Sequence, residues 1–179
     1  MVSANCLFFF FAQILVQGIS AAPTQGTVVP KIIPGPGLPS LESLNLTSAE
    51  LFALPSPFSE DQMNTLVDGS CGPNDSAYTH VNLAIACYHF VRNLGSQRCE
   101  VPASGHAIYC LSESGDGKAH LTGRSLTGRV EASSCADTAA GALWTIDHCT
   151  RPGGSTAGLA PPNGNGNILV GTSNRNFWG

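Results

Sequence analysis

The sequence predicts an α+β fold: a disulfide-stabilised α/β sandwich with an antiparallel sheet of four or five strands and two helices on one face. Three observations predict it. Six cysteines, Cys71, Cys87, Cys99, Cys110, Cys135 and Cys149, fall within residues 70–179. Two stretches there repeat apolar residues at helical spacing, and the stretches after each of them change to a period of two around Gly, Asp and Asn turns. The resulting order, α-β-β-α-β-β, favours two helices packed on one side of an antiparallel sheet.

The chain divides into three parts: residues 1–21, a Pro-rich leader over 22–69, and a cysteine-rich domain over 70–179. Leu7 to Val16 is an apolar run followed by the small residues Gly18, Ser20, Ala21 and Ala22, the pattern of a secretory signal peptide cut after Ala21. It falls short of the about 20 apolar residues that span a bilayer, so no stable membrane insertion is expected. Seven of the twelve prolines lie between Ala22 and Gly69, and the run Pro30 to Gly37 has no period that buries a face. This leader is read as extended and largely disordered, with one or two helical turns at Ser48–Leu54 and at Glu60–Val67. The sequons Asn45-Leu46-Thr47 and Asn74-Asp75-Ser76 make Asn45 and Asn74 the candidate glycosylation sites.

In the domain, Asp75 or Ser76 is placed to cap a helix reaching Leu94. Its apolar positions are Val81, Ala84, Ile85, Tyr88, Val91 and Leu94, and Gly95 stops it. His106–Leu111 and Ala119–Ser125 alternate about Gly115-Asp116-Gly117, a hairpin signal. A second helix is carried by Cys135, Ala139, Ala142, Ile146 and Cys149; Ser134 and Asp137 resemble a capping box, and Pro152 ends it. Ser155–Leu159 and Ile168–Thr172 read as the last two strands, joined by the Pro161 to Gly166 turn.

Removal of the signal also removes Cys6 and leaves an even set of six cysteines, which reads as three disulfides in an extracellular chain. Cys135 and Cys149 lie about 21 Å apart along one helix, and a disulfide needs Cα atoms within about 7 Å. Each therefore ties the helix to another part of the chain. The layout favours pairing among Cys87, Cys110 and Cys135, with Cys71 or Cys99 taking Cys149. No C-x-x-C and no paired histidine spacing points to zinc, so neither metal nor cofactor is expected.

With a net charge of −4 and no Lys/Arg cluster, nucleic acid is not an expected partner. Catalysis lacks a motif. His80 and His89 stand 2.5 helical turns apart, His106 and His120 are possible cross-strand neighbours, and Asp147-His148 reads as helix-end chemistry. Gly123-Arg124-Ser125-Leu126-Thr127 lacks the second glycine of a serine elbow. Glu113 and Asp116 flank a turn, where nothing raises one carboxyl above the other. His120, Arg124 and Glu131 are the members a ribonuclease-like site would draw on.

The pattern of Cys87 in a helix, Tyr109-Cys110 on a strand, Gly123 on the next, Ser133-Ser134-Cys135 opening a helix, Ile146 and Cys149 closing it, and a Gly158 to Val170 hairpin resembles the small secreted fungal proteins related to the smut-fungus viral killer toxin of the α/β-sandwich type. The resemblance covers Cys71 to Thr172 and implies a disulfide-linked α/β sandwich and an effector-like role. Toxins of that group are thought to act through basic surface residues, whereas Glu100 to His106 holds no lysine here. The expected function is that of a secreted, non-catalytic, monomeric protein that binds a host or microbial surface component. A small secreted hydrolase or ribonuclease, and a wall-associated adhesive protein, are the alternatives.

Overall fold

The computed structural model describes residues 29–57 and 69–175; the expected signal segment and the expected turn at Glu60–Val67 lie outside the described residues. In chain order the elements are β1 (Lys31–Pro34), α1 (Ser48–Ala53), β2 (Ser70–Cys71), β3 (Thr79–His80), α2 (Val81–Asn93), β4 (Arg98–Val101), β5 (Ala107–Ser114), β6 (Gly117–Ser125), β7 (Glu131–Ser134), α3 (Cys135–Cys149), β8 (Ser155–Thr156), β9 (Gly158–Ala160) and β10 (Ile168–Ser173).

The main sheet is antiparallel with six strands in the order β1-β5-β6-β10-β9-β2, and two short ribbons, β3–β8 and β4–β7, flank it. The period of two sets which side faces inward. Leu121 and Gly123 of β6 stand opposite Thr172 and Val170 of β10, and these residues meet the helices with Ala119 and Ile168. Lys118, His120, Arg124 and Leu169 alternate onto the other face. From above, α2 supplies Ala84, Cys87, Phe90 and Val91 and α3 supplies Ala139, Ala142 and Ile146 to one core. Gly141 lets α3 settle onto the sheet, since a Cβ there would stand 2.9 Å from the Ala160 carbonyl oxygen. Among the described residues no helix is long and apolar enough to cross a membrane.

Three disulfides cross these layers. Cys87–Cys110 joins α2 to β5, Cys99–Cys135 joins β4 to the first residue of α3, and Cys71–Cys149 joins β2 to its last. The α3 cysteines thus bind separate partners, as their spacing requires. Ser134 caps α3: its hydroxyl accepts the Asp137 N–H at 3.0 Å and donates to the Asp137 carboxylate at 2.6 Å.

Several expectations are corrected. The leader is not disordered over residues 29–57. β1 pairs with β5, Ile32 is buried, and α1 presses a fully buried Leu51 into the core beside α2. Proline did not prevent this because β1 is an edge strand and needs no donor on its outer side. The first long helix starts at Val81 rather than at Asp75, because Asp75–Ala77 forms a separate 3-10 turn and Thr79–His80 a strand; the His80 Nδ1 then accepts the Asn82 N–H. Ser155–Leu159 is split at Ala157, so that β8 pairs with β3 and β9 joins the sheet.

Candidate ligand groove

The site is built at the end of the sheet where β5 begins. Tyr109 is an extra residue in β5: Ile108 pairs with Thr122 and Cys110 with Leu121, leaving Tyr109 as a bulge. Its ring turns inward over Gly123, where a Cβ would come within 2.4 Å of the phenol oxygen. The hydroxyl is buried without a hydrogen-bond partner among the described residues, and burial pushes the phenol pKa up. On the outer side, β1 ends at Pro34, the Gly35 N–H donates to the Tyr109 carbonyl at 2.9 Å, and the chain turns away through a Leu38 N–H to Gly35 carbonyl bond. Gly35 lies against the Ile108 carbonyl, where a Cβ would stand 1.7 Å from the oxygen, and beyond it no strand among the described residues lies on that side of β5.

Across this gap lies β4, held to β7 by pairing from Arg98↔Ser134 to Val101↔Glu131 and to α3 by Cys99–Cys135. Between the two are adjoining hollows. One, of about 290 Å³, is walled by Pro36, Leu38, Arg98, Glu100, Ile108 and Tyr109. A second of about 290 Å³ extends it past Pro102 and His106; a third, of about 280 Å³, shares Arg98 with the first but lies over the β4–β7 ribbon along Ser96, Ala132 and Ser134. Arg98 and Glu100 form an ion pair at 2.9 Å on the groove wall, with both side chains in solvent. At the Val101–Glu131 end of the ribbon, the β6–β7 connection exposes Leu126 and Val130. That connection is held by a Thr127 hydroxyl to Glu131 carboxylate bond at 2.7 Å and a Leu126 N–H to Asn167 carbonyl bond at 2.8 Å.

The residues singled out for catalysis go elsewhere. His120 and Arg124 share the outer sheet face four residues apart, about 13 Å along the strand, while the Glu131 carboxylate is engaged by Thr127 and Asn167. None of the three lines these hollows. His120 stands opposite Leu111, not His106, and burial, with Lys118 nearby, lowers its pKa. His89 meets the Pro55 carbonyl at 3.0 Å, and burial lowers its pKa also. His148 stacks on Trp144 at 4.5 Å. Glu113 pairs with Lys118 at 2.7 Å, and that hydrogen bond lowers its pKa, the opposite of what a general acid needs. Among the described residues no three His, Cys, Asp or Glu side chains are grouped as metal ligands.

Both sequon asparagines are exposed. Asn45 ends a 3-10 turn in the left-handed region, at φ 53°, and Thr47 of its sequon forms a capping box with Glu50. Asn74 accepts a hydrogen bond from the Ser76 hydroxyl at 2.7 Å. Sequence reasoning missed the groove because its walls come from three separate loops and strands; the cue available was Gly35 between two prolines, a close-approach residue ending an edge strand.

No curated protein and no solved structure matches the chain. One family profile does, over residues 67–174. It covers more than half of the 179 residues, including β4, β5 and β7 of the groove, and it places the chain in the family described as Domain of unknown function (DUF8794).

Proposed function

We propose that the chain is a secreted, non-catalytic protein that binds a host or microbial surface component, with the groove between β4 and β5 as its contact surface. The observation that carries this reading is the run of adjoining hollows whose walls are fixed by the Cys99–Cys135 bridge and the Tyr109 bulge. A wall held by covalent and core contacts loses little entropy on binding. Three disulfides favour an oxidising, extracellular setting, and the effector-like character rests on the resemblance to the killer-toxin group. Where that group relies on basic residues, Pro102 and His106 of the lysine-free segment line the groove instead.

The test is capture from cell-wall and extracellular-fluid extracts with the purified mature protein, beside Ile108→Asp and Arg98→Ala variants checked for folding by circular dichroism. A protein or glycan retained by the wild type and lost with the folded variants supports the reading. Equal retention by all three overturns the placement of the surface. Turnover of RNA or polysaccharide by the wild type overturns the non-catalytic reading.

A further inference from the structure

The turn between β9 and β10 holds two Asn-Gly pairs, Asn163-Gly164 and Asn165-Gly166, to which the binding reading gives no part. Such a pair carries its own chemistry, because glycine has no side chain to keep its main-chain nitrogen away from the preceding carboxamide. The two pairs are held differently. Asn165 is half-buried; its Nδ2 donates to the Ala132 carbonyl of β7 at 3.1 Å, and its Oδ1 accepts the Asn167 N–H at 3.0 Å. Both bonds must break before its Cγ can reach the Gly166 nitrogen. Asn163 is exposed, and among the described residues its side chain has one long contact, from Nδ2 to the Asp137 Oδ1 at 3.5 Å. Gly164 is exposed as well, at φ 68° with nothing within 4 Å of where a Cβ would stand.

We propose that Asn163 is a site of spontaneous deamidation in the folded protein, and that the new carboxylate loosens this turn from α3. The Gly164 nitrogen gives its proton to a solvent base and attacks the Asn163 Cγ. The new N–Cγ bond closes a succinimide ring while the Cγ–Nδ2 bond breaks, and the side-chain nitrogen leaves as ammonia after taking a proton from water. Water then opens one imide carbonyl or the other, leaving aspartate or isoaspartate at residue 163. The sum is a carboxamide and water converted to a carboxylate and ammonium, with no change of oxidation state. The place of the turn decides what this does. The Asn163 N–H donates to the Asp137 main-chain carbonyl at 3.0 Å, and a Cβ on Gly141 would stand 3.0 Å from the Pro161 carbonyl oxygen, so the turn rests on the first turns of α3. The Asp137 carboxylate accepts and cannot donate; deamidation sets a second acceptor of like charge against it. Asp137 also holds the Ser134 cap, so the repulsion falls on the start of α3, beside Cys135.

The mature protein is incubated in mildly alkaline buffer with its disulfides intact, beside a sample reduced and unfolded in guanidinium. Peptide mass analysis follows the replacement of –NH2 by –OH at each asparagine, and an isoaspartyl methyltransferase reports the isoaspartate formed. In the unfolded chain the two Asn-Gly pairs should react at similar rates. In the folded protein Asn163 should lead Asn165 by about tenfold or more, the margin given by the two hydrogen bonds that hold Asn165. Equal rates in the folded protein, faster loss at Asn165, or an Asn163 that keeps its amide while the unfolded chain reacts overturns the site. Asn163→Asp tests the consequence directly, with Asn163→Ser removing the amide without adding charge. Hydrogen exchange of the Asp137 and Asn165 amides should quicken about fivefold in Asn163→Asp, the effect of two like charges about 4 Å apart in water, and stay near wild type in Asn163→Ser. Equal acceleration in both variants, or none in Asn163→Asp, overturns loosening by charge.

Discussion

Tyr109 and Gly123 are coupled by contact. With the Tyr109 ring within 2.7 Å of where a Cβ would stand, Gly123→Ala forces the ring or the β5 bulge to move. Overpacking of this kind costs about 1 to 3 kcal/mol, which a shift in urea midpoint at constant slope would record. Tyr109→Phe should behave unlike most buried tyrosine changes. Its hydroxyl has no hydrogen-bond partner among the described residues, so removal is expected to be neutral or to stabilise by about 1 kcal/mol; a loss of stability would reveal a partner for the phenol. Histidines set the response to acid. His89 and His120 are both held below 6.5, so the unfolded chain takes up their protons first. Stability is full above about pH 6.5 and is lost as pH falls through the lowered folded values. Lys118 holds Glu113 below 4.5, so that carboxylate extends the loss to lower pH. Urea midpoints measured on both sides of that window should fall on the acid side, with a shallower fall in His120→Gln. An unchanged slope would move the effect to other groups.

At the scale of elements, the strand and helix that precede the family's matched residues behave as part of the fold. β1 and α1 are fastened to each other, because the Ile32 N–H donates to the Ser48 hydroxyl at 2.9 Å, which fills the outward donor of the edge strand. They are fastened to the domain by Ile32, Leu51 and the His89 to Pro55 contact, with no disulfide, since all six bridged cysteines lie between residues 71 and 149. Leu51→Ala should cost about 2 to 5 kcal/mol. Hydrogen exchange should show β1 and α1 amides opening together before those of β6 and α3; simultaneous exchange of all four would make them one cooperative unit. This segment also marks where sequence reading ran out. The hairpin β5–β6, the stripe of α3 and its Ser134 cap are legible because each signal is local in the chain. The place of Ile32 is not, because one apolar residue among prolines gains its meaning from Ser112 across the ladder, 80 positions away. The groove is hidden for the same reason: Leu38, Arg98 and Ile108 share no periodicity.

For the whole molecule, the order of the bridges is an argument about access as much as about chain entropy. Cys87–Cys110 and Cys99–Cys135 interleave inside the span of Cys71–Cys149. Loop closure alone favours the widest bridge, with sequence separations of 78 against 23, by about 1 kcal/mol. Exposure works the other way. Cys71 is exposed, whereas Cys87, Cys99, Cys110 and Cys135 are all buried in the core beside Phe90 and Val101. Exchange requires a thiolate to reach a sulfur, so mild reductant should open Cys71–Cys149 first, before any global unfolding. Alkylation at graded reductant, followed by peptide mass analysis, should find modified Cys71 and Cys149 while the other four stay paired. Because the groove wall depends on Cys99–Cys135 and not on the bridge that opens first, ligand capture should survive this partial reduction and disappear when Cys99 and Cys135 become alkylated. Early modification of Cys99 would mean that β4 separates from α3 more readily than its burial allows, and the rigid wall assigned to the groove would have to be abandoned.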